Sequence, residues 1–408
     1  MLNKRKILND PVYGFITIPD EFIYDLINQP LFQRLNRIRQ LGLTYLVYPG
    51  AHHTRFHHAL GAMHLMDEAI SVLQQKGFEV SEAEKQGALI AILLHDVGHG
   101  PFSHALEHSI IHGVHHEDLS LRFMTILHSQ YGSVMDIAIS VFQNTYHKKF
   151  LHQLVSGQLD VDRLDYLMRD SFYTGVSEGI IGTERILKMM CVNSGDLAVE
   201  EKGIYSIEKF IIARRLMYWQ VYLHKTVVSG EAMLINTLKR AHELALNGEE
   251  VFASPALSFF LKNTVKGEEL TDEVMQKFLL LDDSDILTAV KVWQQHKDIV
   301  LSRLSAGLIN RKLFRTWLSS DKEILKEKEH VLNQIKKEYG VSLEEAGYFL
   351  ASGRIENNTY NPDLEKIWIS MKDNSRKNIT EASDQLDHHT LSKITKKYYL
   401  SYPKAVHL

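Results

Sequence analysis

Twelve of the 22 histidines in this 408-residue chain fall between His52 and His116. Histidine is the commonest protein metal ligand and the side chain best placed to move protons near neutral pH. A concentration of this kind therefore points to chemistry more than to packing. Within it, His58, His95-Asp96, His99 and His104 stand beside apolar runs, and further on Asp160, Asp162 and Asp165 supply three carboxylates close together. Adjacent residues on a helix point about 100° apart, so His95 and Asp96 reach one metal only if it sits beside the helix, between their directions. His58 and Asp162, arriving from neighbouring helices, would complete a two-histidine, two-carboxylate set with open positions for water and substrate. Mixed nitrogen and oxygen ligation suits Mn, Mg, Fe, Co, Ni or Zn, and the sequence does not choose among them. The competing reading of His95-Asp96 is a buried hydrogen-bonded pair, since one dipeptide is a weak motif.

The context of that dipeptide is Leu94-His95-Asp96-Val97-Gly98-His99-Gly100-Pro101-Phe102-Ser103-His104. A helix is expected to deliver His95 and Asp96, and Pro101 to end its register, placing His99 and His104 on a loop at the mouth of the site. Gly98 and Gly100 would let a bulky polyanion approach the backbone.

Helices must position these residues. Only 8 prolines occur, and stretches such as Leu60-Met63-Leu65-Met66-Ala69-Ile70-Leu73 and Ala88-Ile90-Ala91-Leu93-Leu94 repeat apolar residues at helical spacing. The fold expected is mainly α: a helical bundle with a short N-terminal β-hairpin and a C-terminal α+β region. The divisions read as 1–20 for the hairpin, 21–245 for the helical body and 246–408 for a helical and α+β region expected to serve assembly, its charged stretch 321–337 reading as a solvated amphipathic helix. Lys366-Ile367-Trp368-Ile369 reads as a strand.

Forty-six basic against fifty acidic residues give a net charge of −4, which weighs against non-specific nucleic-acid binding. The longest apolar run, Ala88 to Leu94, is far short of a bilayer span. The single cysteine, Cys191, excludes an internal disulfide, and no apolar signal core follows the basic N-terminus. The chain reads as cytoplasmic.

With these motifs in hand, the sequence resembles the HD-domain phosphohydrolases, specifically the deoxynucleoside triphosphate triphosphohydrolase branch. Phe32-Gln33-Arg34-Leu35, Arg39-Gln40-Leu41-Gly42, Tyr48-Pro49-Gly50-Ala51, Arg55-Phe56-His57-His58, the His95 to His104 segment and Asp160 to Tyr166 occur in that family's order, over about half the chain from Lys6 to Lys225. The resemblance implies the metal ligands His58, His95, Asp96 and Asp162, the set the residue types also select. It places Gln40, Leu41 and Arg55 near a sugar, with Tyr166 and Asp170 towards its 3′-hydroxyl. His99, His104, His116, Arg163 and Arg214 would contact phosphates. His104 and His116, the latter beside Glu117, would transfer a proton to the leaving oxygen. It further implies a dNTP substrate, cleavage at the α-phosphate to nucleoside and inorganic triphosphate, and a homo-oligomer, dimer or tetramer. Because the shared motifs begin at Lys6, no SAM-like domain is expected before the hairpin.

A helix expected over 206–228 sets Arg214, Tyr218, Tyr222 and Lys225 along one stripe, which suits a phosphate-and-base cleft; packing is the alternative for the tyrosines. Where the SAM-and-HD-domain relative recognises an allosteric guanine through an aspartate and an arginine, this chain carries Asn28 and Asn36. Three other readings stay open: an HD-type hydrolase of another nucleotide or phosphoester, a nucleotide-binding regulator without turnover, and a single-strand nucleic-acid surface around Lys396-Lys397-Tyr398-Tyr399.

Overall fold

The computed structural model describes residues 6–103, 111–267, 270–357, 360, 365–385 and 395–406, and His104 lies outside them. The chain is mainly helical with several small sheets, as the periodicity requires. It opens on the expected hairpin, Ile7–Asp10 paired antiparallel with Gly14–Thr17. Asp10 closes the turn by accepting the backbone N–H groups of Val12 (2.9 Å) and Tyr13 (3.0 Å), the local bonding that makes aspartate a turn residue.

Three helices surround the site. Arg55–Gln75 packs against both Glu82–Leu94 and Val161–Thr174. The apolar positions read from the sequence, Leu60 to Leu73 and Ala88 to Leu94, are buried. Ser81 and Glu84 form a capping box that starts the Glu82 helix (3.2 and 2.8 Å). Asp160 caps the Val161 helix, accepting from the Arg163 N–H at 2.8 Å. A fourth helix, His116–Tyr131, crosses at Gly98, where a Cβ would lie 2.1 Å from the His116 carbonyl oxygen. The bareness of Gly98 is thus used by this helix, and the expected approach of a polyanion to that backbone finds the space taken.

The helix expected over 206–228 is interrupted. Ile204–Met217 widens at Tyr218–Tyr222, where the Leu223 N–H bonds to the Tyr218 carbonyl (2.7 Å) five residues back. A new helix, Lys225–Leu246, starts behind the His224 cap. The widened turn carries the Tyr222 hydroxyl to Asp170 (2.7 Å) and removes Lys225 from the stripe.

The C-terminal part is knitted to the body. Trp368–Ser370 runs parallel to Asp196–Glu200 inside a four-stranded sheet completed by Met190–Asn193 and Arg376–Asn378. Thr395–Tyr402 is the central strand between Arg315–Ser319 and Ala351–Asn357. On it, the Lys397 ammonium covers the Trp219 ring (4.1 Å) and Lys396 faces Glu356 (3.8 Å). The stretch 321–337 becomes a 3₁₀ turn, Lys322–Glu327, and the helix Lys328–Tyr339.

The Arg55 and Val161 helices touch most closely at Gly61. A Cβ there would lie 2.0 Å from Asp165 Oδ1 and 2.2 Å from Arg169 Nη2. Helix propensity alone favours Gly61→Ala by about 1 kcal/mol, whereas overpacking a fixed ion pair costs about 1–3 kcal/mol. The pair is buried and doubly hydrogen-bonded, so the steric cost wins. Gly61→Ala is expected to lower the urea midpoint; an unchanged or higher midpoint would show that the two helices separate freely.

Candidate metal centre

His58 stands in the first turn of the Arg55 helix, His95 and Asp96 at the end of the Glu82 helix, and Asp162 in the first turn of the Val161 helix. The structure brings all four together. Asp162 Oδ1 lies 3.0 Å from His58 Nε2 and 3.6 Å from His95 Nε2. Asp96 lies 3.7 Å from His58 Nε2 through one oxygen and 3.4 Å from His95 Nε2 through the other. His58, His95 and Asp162 satisfy the spacing of a metal-holding group.

Hydrogen bonding on the far side of each ring decides which nitrogen faces the centre. His58 Nδ1 donates to Asp165 (2.7 Å), and His95 Nδ1 donates to the Ile92 carbonyl (2.6 Å). Both Nε2 atoms are buried and, among the described residues, face only carboxylate oxygens in poor hydrogen-bond geometry, Asp162 lying 3.0 Å from His58 Nε2. Two such nitrogens beside ionised carboxylates are a donor set that a divalent cation would complete, each ring being held from behind by Asp165 or the Ile92 carbonyl. Burial works against charge on every member, but the neighbours outweigh it. Asp162 is held below the usual carboxylate range by His58 and His95, and Asp96 by Arg55, His95 and His99. His58 is raised to about 10 by Asp162 and Asp165. A proton and a cation therefore compete for His58 Nε2.

Asp165 is itself held by Arg169 through two bonds (2.9 Å each), and Arg169 reaches on to Asp10 in the hairpin turn (2.7 Å). Asp165 therefore belongs to His58 and Arg169. The four-residue step from Asp165 to Arg169 was the available signal.

The centre opens on a cavity of about 510 Å³, a size usual for small-molecule sites. Of the residues expected around a substrate, Gln40, Leu41, Arg55, His99, His116, Glu117, Arg163, Tyr166, Asp170 and Tyr222 line it. Gln40 Oε1 is buried there without a hydrogen-bond partner among the described residues. Asp170 bonds to His53 Nε2 (2.8 Å) and Tyr222, leaving Arg169 to Asp165. Arg55 binds Asp96 and Ser103. Arg163 binds Asp160. The His116 ring stacks on His99 at 3.7 Å, with its Nδ1 3.3 Å from Glu117. Burial and Arg55 keep His99 well below the ordinary histidine range, hence neutral. Arg214 is buried behind this wall, bonded to Gln158 (3.3 Å), and is not among the lining residues.

Two contributors went unread in the sequence. Asp283 accepts the N–H groups of Phe102 (2.8 Å) and Arg39 (3.1 Å), clamping the loop after His95 and Asp96 to the turn that carries Gln40. Phe102 and Ser103 both hold positive φ (55° and 53°), a strained pair that needs such support. Glu231 lines the cavity, and burial raises it to about 7; its signal was a lone carboxylate inside Val227 to Leu234.

Two outcomes are expected. Asp165→Asn should weaken divalent-metal affinity about 10–100-fold by calorimetric titration; unchanged affinity would remove Asp165 from the support of His58. Because the Glu231 carboxyl is raised from 4.5 to about 7 on folding, its protonated form favours the fold at low pH and its ionisation opposes the fold as pH rises through that window. Glu231→Gln should leave Tm unaltered near pH 4 and stabilise by about 3 kcal/mol near pH 8. Equal effects at both pH values would refute the assignment.

Comparisons with known proteins agree with this geometry. A family profile described as HD associated region matches residues 181–255. The chain is 37% identical over 323 residues to the uncharacterised protein YwfO of Bacillus subtilis, covering 77% of this chain and 72% of that one. It is 33% identical over 257 residues to the deoxynucleoside triphosphate triphosphohydrolase SAMHD1 homolog of Dictyostelium discoideum, covering 58% of this chain and 50% of that protein. The crystal structure of a phosphohydrolase from Bacteroides thetaiotaomicron superposes with a TM-score of 0.95 at 53% identity, over 98% of this chain and all of that one. The helices that meet at Gly61, the ligands they present and these relatives agree: the chain belongs to the HD-domain phosphohydrolase superfamily.

Proposed function

We propose that the chain hydrolyses deoxynucleoside triphosphates to a deoxynucleoside and inorganic triphosphate. The observation that carries this reading is the cavity itself, whose lining combines the metal-type donors His95, Asp96 and Asp162 with Arg163, Gln40, Tyr166, Asp170 and Tyr222. A phosphate chain at the first and a sugar at the second would use both. Relatives named as deoxynucleoside triphosphate triphosphohydrolases support the substrate class, although the chain spans about half the length of the Dictyostelium one.

In this reading His58, His95, Asp96 and Asp162 hold a divalent cation, which supplies Lewis acidity to a phosphoryl oxygen and lowers the pKa of a water. The chain's own side chains do the rest. Gln40 Oε1 and the Asp170 carboxylate accept hydrogen bonds from the sugar, while Leu41 and Tyr166 flank it. Arg163, Arg55 and, from behind Tyr166, Arg214 offset phosphate charge, the effect on which phosphoryl transfer chiefly depends. Water adds to the α-phosphorus as the bond to the 5′-oxygen breaks. His116, poised against Glu117 and stacked on His99, gives that oxygen its proton; His104 is the second candidate for this role.

The test is product analysis. The pure protein is incubated with each dNTP and NTP in Mn, Mg, Fe, Co, Ni or Zn, and the phosphates are separated by ion chromatography. Inorganic triphosphate is expected from dNTPs, with turnover reduced at least about 10³-fold in His95→Ala and Asp162→Ala. Release of orthophosphate or pyrophosphate instead would mean cleavage between phosphates and would overturn the triphosphohydrolase reading.

A further inference from the structure

Among the described residues, five carboxylates line the cavity at the metal centre: Asp96, Glu117, Asp162, Asp170 and Glu231. Four of them are met by the protein. Asp96 pairs with Arg55, Asp162 faces His58 and His95, Asp170 bonds to His53 and Tyr222, and Glu117 lies 3.3 Å from His116 Nδ1. Glu231 has no hydrogen bond and no ion pair among the described residues. Burial is the only cause that moves its pKa, so no cation or donor of the chain answers it. Tyr399, on the strand Thr395–Tyr402, feels its charge without being bonded to it. A carboxyl that faces a cavity without a partner in the protein keeps its hydrogen-bonding capacity for an occupant.

Its position narrows what that occupant offers. Gly230, one residue earlier on the Lys225 helix, would set a Cβ 3.4 Å from Leu43 and 3.3 Å from Leu46, so the helix rests on the short turn Thr44–Leu46. Thr44 lines the same cavity, and its N–H bonds back to the Leu41 carbonyl (2.9 Å). Gln40 and Leu41 are the residues assigned above to the sugar. So is Tyr222, whose neighbour Leu223 also lines the cavity. Glu231 thus stands beside the continuation of the sugar-contacting segments. A base is bonded directly to its sugar, and on that assignment it belongs beside Thr44, Leu223 and Glu231. Leucine side chains offer apolar surface to the ring there, and Glu231 offers a charge to its edge.

We infer that the Glu231 carboxylate accepts a hydrogen bond from an exocyclic amine of the substrate base, so that the cavity selects bases with an amine at that edge, such as cytosine and adenine, over those with a carbonyl there, such as uracil and thymine. An ionised carboxylate has acceptors only. An amine N–H donates to it, the pairing by which acidic side chains recognise cytosine N4, whereas a carbonyl oxygen set against it is repelled. Leaving the carboxyl unmet in the empty cavity costs stability, and a base that meets it offsets that cost while a base that does not leaves it standing. The inference rests on the reading that a nucleotide is the substrate and adds to it which bases the site prefers.

The probes are dCTP and dUTP, whose pyrimidine rings are of equal size and differ by an amine against a carbonyl at one carbon. The ratio of their kcat/KM values is measured for the full chain and for Glu231→Gln and Glu231→Met. The assay is run at about pH 8, above the value of about 7 to which burial raises the Glu231 carboxyl. The unaltered chain is expected to favour dCTP about tenfold or more, the worth of one hydrogen bond to a charged group. Both variants should bring the two substrates to within about threefold of each other. A merely structural role would move both substrates together and leave the ratio where it stands. Equal use of the two nucleotides by the unaltered chain, a ratio kept in both variants, or turnover lost alike on both nucleotides in both variants would each overturn this inference while dNTP hydrolysis stands. Absence of dNTP turnover in the unaltered chain would overturn the proposed reaction and this inference with it.

Discussion

The buried chain of charge from His58 through Asp165 and Arg169 to Asp10 is the constraint around which the rest is arranged. Each link is fully or almost fully withdrawn from water, where an unpaired ion costs several kcal/mol. No member is dispensable singly, because removing one leaves the next buried and unmet. The chain also runs through three parts of the sequence. It fixes the imidazole of His58, the mutual spacing of two helices, and the turn of the N-terminal hairpin. The hairpin is therefore part of the site's support, since its Asp10 accepts both from its own turn and from Arg169.

A second constraint acts from the C-terminal side. Arg34 is completely buried, its Nε donating to the Leu281 carbonyl (2.8 Å) and its plane lying 4.7 Å from the Phe278 ring. Burial lowers it to about 9. Next to it, Asp282 pairs with Arg37, and Asp283 bonds to Arg39 and Phe102. Residues 278–283 thus hold the Gln40 turn and the strained Phe102–Ser103 step in one arrangement. A cavity wall built from such distant segments keeps its shape only while both are anchored, and that is the pre-organisation a charged substrate needs.

Much of this was legible in the sequence for physical reasons. Leu60 to Leu73 and Ala88 to Leu94 are buried helical stripes because their periodicity admits no other satisfactory burial. His58, His95, Asp96 and Asp162 stand together because residues of metal-binding type, concentrated beside apolar helices, have few other uses. What stayed hidden depends on pairing at long range. Asp283 acts on residues more than 180 positions away, and nothing local distinguishes it from a helix-cap aspartate, which its neighbour Asp282 is. The break after Tyr222 was hidden for a different reason. Periodicity continues through 206–228, and only the pull of Asp170 on the Tyr222 hydroxyl and the His224 cap show why the backbone widens and restarts there.

The charge balance at the centre gives the last step. Asp96 is met by Arg55 and Asp165 by Arg169, whereas among the described residues the ion-pair partners of Asp162 are the two histidines. Its countercharge must come from a proton on His58 or from a cation among the ligands, and both need the same Nε2. Because Asp165 fixes Nδ1 as the donor on the other side of the ring, the imidazole cannot turn away from this exchange. The support chain therefore does two jobs with one set of bonds. It holds the ring in place, and by raising its basicity it makes a divalent cation, with greater charge than a proton and room for several ligands, the better answer to Asp162 and Asp96 together.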